Sequence, residues 1–217
     1  MAENRYVALT ALLFVGCASL VLISGLDDNC YRFIALTAPA WKIVPALRIT
    51  SLIACGMLCF SFGRRSLQAP LTSAPWRVIL IAAISWLGGG VLALFAFHVW
   101  TPLLPTWIDI VSFLGTGLLG EELLFRGAVF ELAKKTFGQP GRLPVAAIGI
   151  SSALYGVQHL GYHGWHFSAA ALTQVGYTIM FGVLLGLLRA WSGSLWVPVA
   201  VHFANNLLTV LYRHLGN

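Results

Sequence analysis

Charged side chains are scarce in this chain. Only 9% of its 217 residues are Asp, Glu, Lys or Arg, and 59% are apolar. An ordinary soluble domain carries about 25% charged residues, because its surface needs a polar covering. Thirteen basic and seven acidic side chains cannot cover a soluble fold of this length. The composition therefore excludes a soluble globule and predicts that much of the apolar surface faces lipid.

Other absences exclude further classes of protein. The four cysteines form no C-x-x-C pair, and three of them lie in apolar runs, so we expect neither a disulfide nor a thiolate metal site. The chain is basic, but its basic residues are not clustered on a solvated surface, which argues against a nucleic-acid partner. No internal repeat or low-complexity tract divides the sequence. We therefore expect residues 1–217 to form a single integral membrane domain.

Long apolar stretches fill most of the chain. A membrane helix needs about 20 mostly apolar residues. Seven stretches of about this length are present. An additional apolar stretch, residues 31–41, is too short to cross and is predicted to be re-entrant or interfacial, or an eighth membrane segment. The fold class predicted is all-α, a polytopic membrane helix bundle of seven to eight transmembrane helices with an intramembrane polar cavity. The seven predicted spans are 6–26, 43–62, 76–100, 107–130, 143–159, 168–188 and 194–212.

The basic residues predict how these spans are oriented. With the N-terminus inside, eight basic residues, Arg189 among them, fall on the cytoplasmic side and three on the opposite side. The positive-inside rule then favours a multi-pass protein of the cell membrane with a cytoplasmic N-terminus. The first span is interpreted as a retained helix and not a signal peptide, because it is long and no small-residue cleavage site follows it.

The fourth span carries the side chains that a bilayer tolerates least. Glu121, Glu122 and Arg126 lie near its centre, and together they would cost about 8 to 10 kcal/mol in contact with lipid. Glu122 and Arg126 have the i, i+4 spacing of a helical ion pair, which could be purely structural. Glu121 is rotated about 100° from Glu122 and has no basic residue at that spacing. An intramembrane carboxylate of this kind predicts function.

Two later spans bring more polar groups to a similar depth. His159 ends the fifth span, and His202 and Asn206 share a face of the seventh. A carboxylate and an imidazole can activate a water, while a second imidazole and an amide can donate to the oxyanion of an attacked carbonyl. This combination predicts amide hydrolysis without a covalent intermediate. The candidate catalytic residues are Glu121, Glu122, Arg126, His159, His202 and Asn206, all within about 115–210.

The order of these motifs resembles that of the CPBP family of intramembrane endopeptidases, which includes type II CAAX prenyl proteases and bacteriocin-processing enzymes. The matching elements are E-E-x-x-x-R at 121–126, Tyr155 to His159, the region from Phe181 to Gly186, and His202 to Asn206. The resemblance implies a glutamate-type mechanism in which Glu121 and His159 activate water, Arg126 holds Glu122, and His202 and Asn206 stabilise the oxyanion. The chain has Tyr155 where the family usually has Phe, and its Phe181 motif is one residue longer.

The resemblance also bears on ligands and partners. Many members are described as metalloproteases, but the chain has no H-E-x-x-H and no third good ligand beside His159 and His202. We therefore expect no cofactor, with zinc as the alternative. The partners expected are the lipid bilayer and a membrane-anchored protein or peptide substrate, cleaved near its terminus.

Three other functions stay open at this point. The buried charges could belong to a proton- or ion-coupled transporter subunit, although inverted repeats, which would favour one, are absent from the sequence. A metal or haem site could use His159, His163 and His166, of which the last two otherwise read as interfacial residues. Finally, the chain could be a catalytically inactive immunity or scaffold relative.

Overall fold

The computed structural model describes residues 40–68, 80, 84, 114–115, 118–163 and 165–215. Every regular element in these residues is helical, which confirms the all-α prediction for the part of the chain described. The helices are α1 (Ala40–Gln68), α2 (Leu118–Glu122), a π-helical segment (Leu123–Val129), α3 (Phe130–Phe137), α4 (Val145–Gln158), a 3₁₀ turn (Gly161–His163), α5 (Ala169–Ser192) and α6 (Trp196–Leu215).

The predicted spans correspond to these helices with shifted ends. The stretch 43–62 lies inside α1, and 143–159, 168–188 and 194–212 correspond to α4, α5 and α6. The fourth predicted span ends at residue 130, but α2, the π-helical segment and α3 follow one another without a break as far as residue 137. We call residues 118–137 the motif helix. The predicted spans 6–26 and 76–100 lie outside the described residues, except for 80 and 84, as do residues 31–39.

Local signals set the ends of α5, the longest helix after α1. The Ser168 side chain accepts a hydrogen bond from the Ala171 amide at its start, as a helix N-cap does. At its end Gly193 adopts a left-handed conformation with φ 67°, which glycine allows without steric cost. Between these caps α5 is the one helix in the described part of the chain that is long and apolar enough to cross a membrane.

Small residues let the helices of the site approach closely. A Cβ at Gly182 of α5 would lie 3.0 Å from the Ser152 Cα of α4. A Cβ at Gly127, in the π-helical segment, would collide with the Cys59 sulfur of α1. Glycine at these two positions therefore brings α1 and α5 close to the helices that carry polar side chains, as small residues do in membrane bundles.

The bundle is apolar outside and polar at its centre. On α1, Ile53, Met57 and Phe60 are more than half exposed, whereas Cys59 is fully buried. Fourteen polar or charged residues of the described part are buried, including both glutamates of the acidic motif. Lipid-facing apolar groups around an internal polar cluster are the arrangement expected of a membrane protein. The total of seven to eight transmembrane helices stays a prediction.

Candidate active site

The motif helix changes its hydrogen-bond pattern where its charged residues lie. Residues Leu123–Val129 form a π-helix, and all seven are buried. At the end of this segment the Phe130 amide donates to the Phe125 carbonyl, five residues back. π-helical turns are rare and frequent at functional sites. The local sequence predicted an ordinary α-helix, and the π-helical geometry was not anticipated.

The predicted ion pair between Glu122 and Arg126 is present. Arg126 Nη1 lies 3.0 Å from Glu122 Oε1, and neither side chain has any solvent exposure. The guanidinium also lies 4.3 Å from the ring centre of Tyr155 on α4, a favourable cation–π distance. The same Glu122 oxygen is 2.8 Å from His202 Nδ1 of α6. Glu122 therefore joins the motif helix to α6 through His202, while its other partner, Arg126, lies on the motif helix itself.

Glu121 faces a different pair of side chains. The Gln158 amide nitrogen donates to Glu121 Oε1 at 3.1 Å, and His202 Nε2 lies 3.9 Å from Glu121 Oε2. Gln158 is 2% exposed and Glu121 is 9% exposed. The imidazole of His202 thus lies between the two carboxylates, with one ring nitrogen directed at each.

Tyr155 links the two histidines. Its ring centre is 5.0 Å from that of His159 and 5.9 Å from that of His202, edge to face in both cases. Its hydroxyl lies 3.4 Å from His202 Nε2. His159 is buried, and its Nδ1 is 2.9 Å from the Tyr155 carbonyl. When Nδ1 donates to that carbonyl, Nε2 carries the lone pair of a neutral imidazole.

Asn206 lies one helical turn beyond His202 and is buried. Its side-chain oxygen accepts a hydrogen bond from Asn205 at 3.4 Å. His163 pairs with Gln174 at 2.7 Å, and His166 is exposed. The structure therefore joins Glu121, Glu122, Arg126 and His202 by direct polar contacts. It links His159 to them through the Tyr155 ring and places Asn206 on the same helix as His202.

Four atoms of this cluster are buried with no hydrogen-bond partner in the structure. They are Glu122 Oε2, Arg126 Nε, Arg126 Nη2 and Gln158 Oε1. Native proteins satisfy most buried polar groups, so a concentration of exceptions is costly and is typical of a functional site.

The donor set does not fit a catalytic zinc ion. Such a site needs three protein ligands around an open position, and no group of three His, Cys, Asp or Glu side chains within the described residues could hold a metal. The Glu122 oxygen nearest to His202 is also bound by the cationic guanidinium of Arg126.

Sequence reasoning missed two residues around the site. Gln158 precedes His159 in an apolar span, and an amide in such a span is the signal that would have singled it out. Arg189 was predicted only to lie in a cytoplasmic segment; in the structure it lies inside α5, is 3% exposed and bonds to Glu131 at 2.6 Å. Its Nε also donates to the Arg126 carbonyl at 3.3 Å. Both contacts join residues that are far apart in the sequence.

Comparison with known proteins identifies the region that holds this cluster. Residues 102–208 match the model of the Rce1-like family, described as type II CAAX prenyl endopeptidase Rce1-like. No curated protein and no solved structure matches the chain. The matched region contains all six candidate catalytic residues, and the resemblance to the CPBP family of proteases is confirmed.

Proposed function

We propose that this chain is an active intramembrane endopeptidase of the glutamate type, a proposal supported by the match of residues 102–208 to the Rce1-like family model. The observation that carries the proposal is the position of His202, with Nδ1 at 2.8 Å from Glu122 and Nε2 at 3.9 Å from Glu121. An imidazole oriented by one buried carboxylate and directed toward a second is suited to stabilise an oxyanion that forms beside the second carboxylate, the proposed general base.

In the proposed mechanism Glu121 and His159 bind the attacking water. Glu121 removes a proton from the water as its oxygen bonds to the carbonyl carbon of the substrate amide. The resulting oxyanion is stabilised by His202 and Asn206. When the carbon–nitrogen bond breaks, the proton held by Glu121 passes to the leaving amine. The products are a carboxylic acid and an amine, and the enzyme returns to its starting state.

Glu122 and Arg126 orient His202 in this mechanism. An imidazole that carries protons on both nitrogens donates Nδ1–H to Glu122 and presents Nε2–H to the oxyanion. The ion pair with Arg126, at 3.0 Å, holds Glu122 in place because both side chains are fully buried.

The substrate proposed is a membrane-anchored protein or peptide, cleaved near its terminus. The chain is proposed to lie in the cell membrane as a single domain of seven to eight helices with a cytoplasmic N-terminus. Its apolar outer face, including Ile53 and Met57 of α1, supports contact with lipid. The family match favours a hydrolase over the transporter alternative.

The decisive test compares cleavage by three forms of the purified protein. Wild type, Glu121→Gln and Glu131→Gln are incubated with membrane-anchored peptides, prenylated and unprenylated, in lipid nanodiscs. Glu131 is a carboxylate on the same helix that bonds to Arg189 outside the cluster, so its variant is the matched control. We expect Glu121→Gln to lose about 10²- to 10⁴-fold in rate and Glu131→Gln to keep it. Equal rates in all three forms, or no cleavage by folded wild type, would contradict the proposal.

The proposed mechanism needs no metal, and a second experiment tests this. We expect the rate to survive exhaustive dialysis against a chelator, because carboxylate and imidazole suffice to activate the water. If the dialysed protein is inactive and added zinc restores the rate, the glutamate-type mechanism is wrong. Glu121, His159 and His202 would then be metal ligands.

A further inference from the structure

We infer that Gln158 is a positioning residue for the reaction, holding the Glu121 carboxylate in its reactive orientation. The inference rests on the proposed function, in which Glu121 is the base. Gln158 lies at the end of α4, next to His159 in the sequence, so a single turn of backbone carries both side chains. It is absent from the motif set by which the chain resembles its family.

The nitrogen and the oxygen of the Gln158 amide differ in their hydrogen bonding. Its nitrogen donates to Glu121 Oε1 at 3.1 Å, while its oxygen is buried with no partner. The donor contact determines the amide orientation, since a carboxylate accepts hydrogen bonds and cannot donate when ionised. Burying an amide oxygen without a partner costs free energy, and an apolar side chain of similar length would avoid that cost. The retained amide therefore indicates a role for the N–H donor.

The hydrogen bond from Gln158 restrains the Glu121 carboxylate, which the proposed reaction needs in a defined orientation. Glu121 has no basic residue one turn along its own helix to restrain it, unlike Glu122 with Arg126. Gln158 reaches it from α4, and the imidazole of His202 approaches its other oxygen from α6. The Gln158 donor thus fixes Oε1, which leaves Oε2 directed toward His202. Correct placement of a general base is worth a large part of a rate enhancement.

The test uses the full-length protein in nanodiscs and the variant Gln158→Met, which keeps the length of the side chain and removes its amide. We expect kcat to fall by about 10- to 100-fold with little change in KM. Gln174→Met is the matched control, because Gln174 bonds to His163 away from the cluster. Gln158→Asn is a second variant that keeps an amide but is too short to preserve the 3.1 Å contact, and we expect the same loss.

A measurement that needs no substrate separates this inference from the proposed function. The infrared band of the Glu121 carboxylate is the one lost in Glu121→Gln, and it should shift in Gln158→Met because that carboxylate loses a hydrogen-bond donor. A band that stays in place, or a wild-type kcat in both Gln158 variants while Glu121→Gln is inactive, overturns the inference alone. If Glu121→Gln cleaves as well as wild type, the proposed function fails, whatever the band does.

Discussion

Two arginine–glutamate pairs involve the motif helix, one fully buried and one partly exposed, and they differ in how completely they are satisfied. Arg126 contacts Glu122 at 3.0 Å through one nitrogen, and its other two nitrogens are buried without partners. Arg189 contacts Glu131 at 2.6 Å and also donates to the Arg126 carbonyl. The Glu131 side chain is 16% exposed, whereas that of Glu122 has no exposure.

The difference separates a structural pair from a pair in the candidate site. The partly exposed pair of Arg189 and Glu131 joins two helices at a moderate desolvation cost. The pair of Arg126 and Glu122 is fully buried and includes atoms without hydrogen-bond partners, so its desolvation cost is higher and packing alone does not account for it. The two are also connected. Arg189 binds the carbonyl of Arg126 inside the π-helical segment, so the structural pair supports the backbone that carries the candidate catalytic pair.

The largest expected effect is that of Arg126→Met. This change leaves Glu122 buried without its cation, and we expect the free energy of unfolding to fall by about 3 to 5 kcal/mol. It should also abolish cleavage, since Glu122 is no longer held in the position from which it orients His202. Denaturation in detergent and rate measurements below the unfolding temperature check both effects. The double variant Glu122→Leu/Arg126→Met should recover stability but not activity; if it recovers neither, the pair is not the source of the loss.

A smaller effect is expected for Arg189→Met. It removes the partner of Glu131, which is partly exposed and can be solvated again, and the donor to the Arg126 carbonyl. We expect a loss of about 1 to 3 kcal/mol in the free energy of unfolding, with a near wild-type rate in the protein that remains folded. The same denaturation and rate measurements apply. An inactive but stable Arg189→Met protein would contradict the assignment of the Arg189–Glu131 pair to a purely structural role.

The smallest effect is expected for Tyr155→Phe, which restores the residue usual in the family. The ring beneath Arg126 is kept, and only the hydroxyl 3.4 Å from His202 Nε2 is lost. A contact of that length contributes little, so stability should change by less than about 1 kcal/mol and the rate should change little. Thermal unfolding and initial rates measure both. A large loss of rate would make the Tyr155 hydroxyl part of the reaction.

Sequence patterns predicted the helical fold because hydrophobic length and periodicity are local properties. They predicted the contact of Glu122 with Arg126 for the same reason, since residues four apart share a helix face. They did not predict the π-helical segment, whose five-residue hydrogen bonds accompany a contact from α5 to the Arg126 carbonyl. They placed Arg189 only on the cytoplasmic side, because a charge at the end of an apolar run is usually interfacial, and they did not predict its contacts with Glu131 and the Arg126 carbonyl.

The sequence by itself therefore determined the apolar composition of the chain, the helical character of its described residues, the pairing of Glu122 with Arg126, and the ordered motifs of residues 102–208, which match the Rce1-like family model. The tertiary structure alone decided which distant groups complete the cluster. His202 lies 80 residues from Glu122, and Gln158 lies 37 from Glu121. Spacing along a helix says nothing about such partners, because which helices meet, and by which faces, depends on close packing at residues such as Gly182 and Gly127.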